Sequence, residues 1–303
     1  MHDPVMVDEV LASLAIPSGA FMVDGTLGLA GHSLAMLRAA GPGGRLVGFD
    51  WDEEMLALAE VRLRAEGFDP VREDLTARVC LIHADYRAIP DRLGDLRPIA
   101  ILLDLGLSSV HLDDPSRGIA FSTEGPLDMR MDRSRGEPAA ALLNRASATE
   151  IERILLEFGD ERWARRIGQV IVDRRRERPL RTTQDLVDCV MAAVPPAKRD
   201  RRLHPATRTF QAVRIAVNRE LAGLKDALVA IARCLAPSGR MVVLSYHSGE
   251  DRAAKQAFRE LEASGFVDLN KKPLTPSEQE IGANPRSRSA KLRAVWRQEA
   301  TAA

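Results

Sequence analysis

Three segments of this 303-residue chain carry residue types and spacings that can do chemistry. The first, Asp24-Gly25-Thr26-Leu27-Gly28-Leu29-Ala30-Gly31-His32, follows a short apolar run and opens a helical pattern, where glycines let a ligand approach the backbone closely. Its spacing is G-x-x-G-x-x-G, not the G-x-G-x-x-G of dinucleotide enzymes, which argues against a pyrophosphate. Asp50 ends the next apolar run about twenty residues further on, a position from which a carboxylate can accept both ribose hydroxyls of an adenosine. On these residues alone two readings stay open, an adenosine-containing ligand and a structural turn. The excess of acids between Asp50 and Asp74 suits a cationic cofactor such as S-adenosylmethionine, whose sulfonium a carboxylate can stabilise.

The second segment, Asp104-Leu105-Gly106-Leu107-Ser108-Ser109, closes another apolar run just before the rhythm of the sequence changes, a placement that favours substrate chemistry; the alternative is that a serine caps the next turn. The third is a pair of polar, histidine-bearing stretches, His204 to Gln211 and Ser245 to Arg252. Neither has metal-ligand spacing, and a histidine in such a loop is as often structural as catalytic. The alternating methionines of Gly125 to Asp132 read as a packed loop. Cys80, Cys189 and Cys234 are too few and scattered for a disulfide framework or a zinc site, and each falls in an apolar or helical stretch.

The elements that must position these groups come from the apolar pattern. Ala20 to Asp24, Arg45 to Phe49, Arg78 to His83 and Ile99 to Leu103 are short continuous apolar runs separated by helical segments such as Ser33 to Ala40 and Glu53 to Glu66. Strands without apolar/polar alternation are buried on both faces, so the pattern predicts an open, parallel α/β sheet with ligands outside the carboxyl ends of its strands. From about Pro115 to Pro205 only helix signals occur, among them the capping patterns Ser147 to Glu150 and Thr182 to Asp185. The α/β pattern then resumes, with Thr207 to Leu235 expected as one long helix, Gly239 to Ser245 as a strand, Arg252 to Glu262 as a helix and Lys291 to Trp296 as a last, alternating strand.

Lys+Arg and Asp+Glu both total 43, so no global basic field points to a nucleic acid. The charge is uneven, however. Between Asp160 and Glu220 there are fifteen Lys/Arg against eight Asp/Glu, and Pro285 to Arg297 adds five bases and no acid. Such regions attract a phosphate backbone, with Arg174-Arg175-Arg176 and Lys198-Arg199-Asp200-Arg201-Arg202 as candidate contacts; solvated helix faces are the plainer reading. The start Met1-His2-Asp3-Pro4 lacks a basic and apolar leader, and no stretch approaches the roughly 18 apolar residues of a membrane span, so a cytoplasmic protein is expected.

Together these motifs resemble the ribosomal RNA small subunit methyltransferase H family, which methylates N4 of a cytosine in the decoding region of bacterial 16S rRNA with S-adenosylmethionine. The likeness runs from His2-Asp3-Pro4-Val5 to Asn284 through Arg293. It includes Arg117-Gly118, Gly125 to Asp132, His204 to Gln211, Asn218-Arg219-Glu220-Leu221 and His247 to Arg252. It implies a class I, Rossmann-like methyltransferase core over residues 1–112 and 212–303, and an inserted all-helical substrate-binding domain over 113–211. It also implies a cofactor pocket lined by Ala30, Gly31, His32, Asp50, Tyr86, Asp104 and His111, with 16S rRNA in the small ribosomal subunit as partner. Three positions depart from the family pattern: Ala30 stands for a glycine, His111 for a glutamine and Gly249 for a leucine. The added methyl of Ala30 is tolerated where backbone angles are ordinary, and His111 introduces a titratable ring. For the reaction, which needs a group to accept a proton from N4, the candidates are Asp104 and Ser109, then His247. The alternatives are a methyltransferase acting on another RNA or a small-molecule amine, and a non-catalytic RNA-binding protein on the same fold. Retention of Asp50, Gly28 and Gly31 speaks against the last.

Overall fold

The computed structural model describes residues 4–200 and 203–299, with the side chain of Ser109 excepted; His2-Asp3 and Arg201-Arg202 lie outside the described residues. The chain divides into two compact units, Met1–Gly106 with Gly223–Ala303, and Leu107–Ala222. The joins at 106/107 and 222/223 differ from the expected 112/113 and 211/212. At the second join, the one long helix expected from Thr207 to Leu235 is two helices, Thr207–Asn218 and Leu224–Arg233. Arg219 ends the first in the left-handed region and Gly223 precedes the second there, at φ 65°. An apolar period runs through this break, which is why the sequence pattern hides it.

The first unit is an eight-stranded sheet: β1 Phe21–Asp24, β2 Arg45–Asp50, β3 Pro70–Arg72, β4 Val79–His83, β5 Ala100–Asp104, β6 Arg240–Ser245, β7 Phe266–Asp268 and β8 Lys291–Arg297. Its order is β3-β4-β2-β1-β5-β6-β8-β7. The first six in that order are parallel, and β8 joins β6 and β7 antiparallel. Leu46, Phe49, Leu81, Ile82, Ile101 and Leu102 are fully buried, as continuous apolar strands under two helix layers require. Helices Val7–Leu14 and Gly31–Ala40 set Val10, Leu14, Leu34 and Leu37 into that core.

The Leu107–Ala222 unit is helical, with a core built from helices Ala139–Arg145, Ala148–Gly159, Ala164–Glu177, Thr183–Ala193 and Thr207–Asn218. Both expected capping patterns form: Ser147 Oγ accepts from Glu150 N, and Thr182 and Asp185 make a reciprocal box. Among the described residues, no helix is long and apolar enough to cross a membrane.

Candidate active site

Register places three aspartates side by side. The neighbouring strands β2, β1 and β5 end in Asp50, Asp24 and Asp104, so three carboxylates edge the same end of the sheet. Each accepts hydrogen bonds from neutral donors. Asp24 Oδ2 accepts from Ser33 Oγ at 2.7 Å and its Oδ1 from Thr26 N at 3.1 Å. Asp50 Oδ2 accepts from Gly28 N at 2.8 Å and its Oδ1 from Asp52 N at 2.9 Å. The glycine loop and the Asp50 carboxylate therefore fix one another.

Asp104 sits where several elements meet. Its backbone N–H donates to Thr26 Oγ1 at 2.6 Å, and its Oδ1 accepts from Gly106 N at 3.0 Å. Its carboxylate also accepts the Tyr246 hydroxyl, and His32 Nε2 lies 3.5 Å from Oδ2. Burial first, and the Asp104 charge next, push the Tyr246 hydroxyl well above its ordinary pKa, so it remains a donor. Gly106 is required here, because a Cβ would come within 2.5 Å of the Tyr246 ring. Burial likewise raises the Asp24 carboxyl, with the Asp104 charge adding to the rise and the Ser33 hydroxyl opposing it.

The remaining sequence-predicted residues divide by unit. Gly31 and His32 begin helix Gly31–Ala40 behind the glycine loop, and Tyr86 opens a short 3₁₀ turn just past β4 with Arg87 over its ring at 4.7 Å. His111 is buried in helix Ser109–Asp113 of the other unit. The Ser109 side chain is outside the described residues; Ser108 caps that helix through Val110 N. His247 caps helix Ser248–Glu262: its Nδ1 accepts from Glu250 N, and its Nε2 faces Glu250 Oε1 at 3.1 Å. The Nδ1 side of the ring is therefore engaged in the helix cap. Glu250 Oε2 in turn holds the Tyr246 N–H at 2.7 Å.

Ala30 lacks the ordinary backbone angles under which its added methyl is tolerated without strain. It is left-handed at φ 57°, ψ 25°, and fully buried. That conformation costs a non-glycine residue about 1 kcal/mol, while the buried methyl contributes about 0.8 kcal/mol, so the two nearly offset. Thr26, Ser33 and Tyr246 join the site through the structure and not through a sequence motif for chemistry. Tyr246 had one available signal: it and Tyr86 are the only tyrosines of the chain, and both stand just beyond strand ends.

The three cysteines are buried and free. Burial pushes the Cys80 and Cys189 thiols up to about 11 and raises that of Cys234, so none is a thiolate near neutral pH.

The parallel-dominated sheet, with aspartates ending β2, β1 and β5, is a Rossmann-like frame, and the likeness to known families is to S-adenosylmethionine-dependent methyltransferases. Residues 1–298 match the model of the MraW methylase family, and the chain belongs to that family. It is 46% identical over 314 residues to the ribosomal RNA small subunit methyltransferase H of Geobacter sp. (strain M21), covering 97% of each chain. The protein of the same name from Citrifermentans bemidjiense is also 46% identical, with 97% of each chain covered. That from Heliobacterium mobile is 44% identical over 313 residues, covering 96% of this chain and 97% of its own.

The residues present fit the sulfonium cofactor of that class. The carboxylates of Asp24 and Asp104 repel one another, and a cation between strand ends relieves that repulsion. Both ring nitrogens of buried His32 lack a hydrogen-bond partner among the described residues. Above Gly28 the loop is open, the nearest atom to a Cβ built there being Thr26 O at 4.0 Å.

Proposed function

We propose that this protein transfers the methyl group of S-adenosylmethionine to the exocyclic N4 amine of a cytosine in the decoding region of 16S rRNA, within the small ribosomal subunit. Full-length likeness to ribosomal RNA small subunit methyltransferases H supports the substrate class. The observation that carries the chemistry is Asp104, a carboxylate at a strand end oriented by Gly106 N–H and the Tyr246 hydroxyl. A cytoplasmic place of action follows from that substrate.

When bound, S-adenosylmethionine supplies an electrophilic methyl on sulfur. Asp50 accepts the ribose hydroxyls, and its bonds to Gly28 and Asp52 hold it ready to do so. Ala30, Gly31, His32 and Tyr86 flank the rest of the cofactor, and His111 belongs to the same set by family likeness. The N4 amine is a weak nucleophile because its lone pair is delocalised into the ring. As nitrogen forms its bond to the methyl carbon and the carbon–sulfur bond breaks, the amine must give up a proton, and Asp104 accepts it. Two donors on the carboxylate fix which of its lone pairs faces the substrate. His247 and Glu250 act through Tyr246, as positioning residues. Ser109 remains a second candidate for orienting the amine. The basic Leu107–Ala222 unit holds the RNA.

Transfer of labelled methyl to small ribosomal subunits and to naked 16S rRNA, followed by nucleoside analysis, tests this reading. The expected product is N4-methylcytidine. Carbon-5 methylation needs a thiolate to add to the ring, and the buried thiols cannot provide one. Exchange of all three cysteines for serine or alanine, with folding verified, should therefore leave transfer largely intact; 5-methylcytidine in the digest would overturn the mechanism.

A further inference from the structure

The arginines of the helical unit are of two kinds. Most are engaged: Arg153, Arg174, Arg176 and Arg178 meet Glu157, Asp188, Asp173 and Asp185, and Arg175 donates to the carbonyls of Leu143 and Ala146 at 2.7 and 2.6 Å. The expectation that Arg174-Arg175-Arg176 grips phosphate thus meets a structural use for each side chain. Arg162, Arg165 and Arg166 are different. All three are exposed, and none has a carboxylate within ion-pair distance among the described residues.

Their position is also wrong for stability. Arg162 stands in the turn before helix Ala164–Glu177 and the other two in its first turn, at the positive end of the helix dipole. No acid lies in that first turn and Trp163 provides no side-chain cap, while Glu161 is buried with its Oε1 on Trp163 N. Three like charges here repel one another and the dipole, and a bound polyanion offsets both. A second, independent feature adjoins them. Arg208 donates to Asp160 O at 3.0 Å, which brings another guanidinium to the same turn. Just before its helix the exposed His204 ring lies 4.7 Å from Phe121, tilted by 32°; Phe121 packs on Phe210 of the core and backs the His204 ring, whose exposed face can stack on a base.

We propose that Arg162, Arg165 and Arg166, with Arg208 and the His204–Phe121 pair beside them, are the surface through which the protein holds the backbone and an unstacked base of its RNA. The assignment rests on the RNA reading above and adds the place of contact. Phosphate-binding cations next to a stacking ring match a single-stranded or looped RNA.

The test is binding of a 16S rRNA transcript by the full chain across a range of salt. Arg162→Gln, Arg165→Gln and Arg166→Gln together should weaken binding at least tenfold near 0.15 M salt. The slope of log affinity against log salt should shrink by about two, since each phosphate contact contributes roughly 0.7–0.9. The melting temperature should hold or rise, because the removed charges opposed the helix dipole. A folded triple variant with an unchanged slope overturns the proposal, and Arg165→Glu alone gives the same decision if the triple variant folds poorly. Removing as much charge at Arg153, Arg174 and Arg176 should change the slope less; an equal change would mean that only net charge matters, which also overturns it. So would wild-type binding to phosphatidylserine vesicles as tight as to the transcript. Should the wild-type chain neither bind nor methylate rRNA, the functional reading itself fails; should it methylate while the triple variant binds normally, only this assignment fails.

Discussion

Asp24, Asp50 and Asp104, at the carboxyl edge of the sheet, accept from backbone N–H groups and hydroxyls, whereas Asp173, Asp185 and Asp188 of the helical unit each pair with an arginine. Asp24, Asp50 and Asp104 accept hydrogen bonds from Thr26, Ser33, Gly28, Asp52, Gly106 and Tyr246. Asp173, Asp185 and Asp188 take theirs from Arg176, Arg178 and Arg174 as well as from neutral groups. Neutral donors fix a carboxylate in place without cancelling its charge, so the field remains for a cation. Ion pairs cancel the field and leave packing as the gain. The same residue type is thus poised in one region and neutralised in the other, and only the partner distinguishes them.

Asp104→Asn keeps the shape and an acceptor but removes the base, and methyl transfer should fall by about 10²-fold or more in single-turnover assays. Activity within a few-fold of wild type would mean that its charge is not used. Asp251 is the sheet unit's own example of a neutralised aspartate. Burial raises its pKa, but hydrogen bonds from Arg293 at 2.7 Å and Lys291 at 3.0 Å hold it below the ordinary value. Arg293 is almost wholly buried, so Asp251→Ala leaves a buried charge without its partner and should cost about 3 kcal/mol in denaturant unfolding. Because the folded-state pKa is depressed, this contribution is present above the unfolded value and disappears as pH falls through the folded one. A variant whose stability loss persists unchanged in acid would contradict that linkage.

Asp50→Ala should weaken cofactor binding by about 1.5–3 kcal/mol in calorimetry, the range of charge-assisted hydrogen bonds. Unaltered affinity would remove it from the site. The finest distinction lies between adjacent arginines. Arg175→Ala strands two carbonyls and should cost about 1–2 kcal/mol of stability, whereas Arg176→Ala, an exposed pair with Asp173, should stay within about 0.5 kcal/mol. Equal effects would show that the cluster acts as one face.

What the sequence displayed and what it concealed follow from range. The strands β1, β2, β4, β5 and β6 and the aspartates ending three of them were legible, because buried strands announce themselves as continuous apolar runs. β3 begins with a proline and spans three residues, and β7 is as short, so neither offers a run long enough to recognise. The role of Tyr246 depends on β6 lying next to β5, a pairing of residues far apart in the chain. His247 looked like chemistry because capping boxes usually start with serine or threonine; a histidine in that place, followed by Glu250 three residues later, disguises the motif.

The strand order has a consequence for how the molecule is made. β5 pairs with β6 across the whole of Leu107–Ala222, and β8, the last strand in the chain, inserts between β6 and β7. During synthesis the first five strands emerge long before the partner that covers β5, so that edge stays open while the helical unit, whose contacts are mostly its own, is already able to pack. Closure of the sheet waits for Lys291–Arg297, so it is completed only after the whole of Leu107–Ala222 has been made.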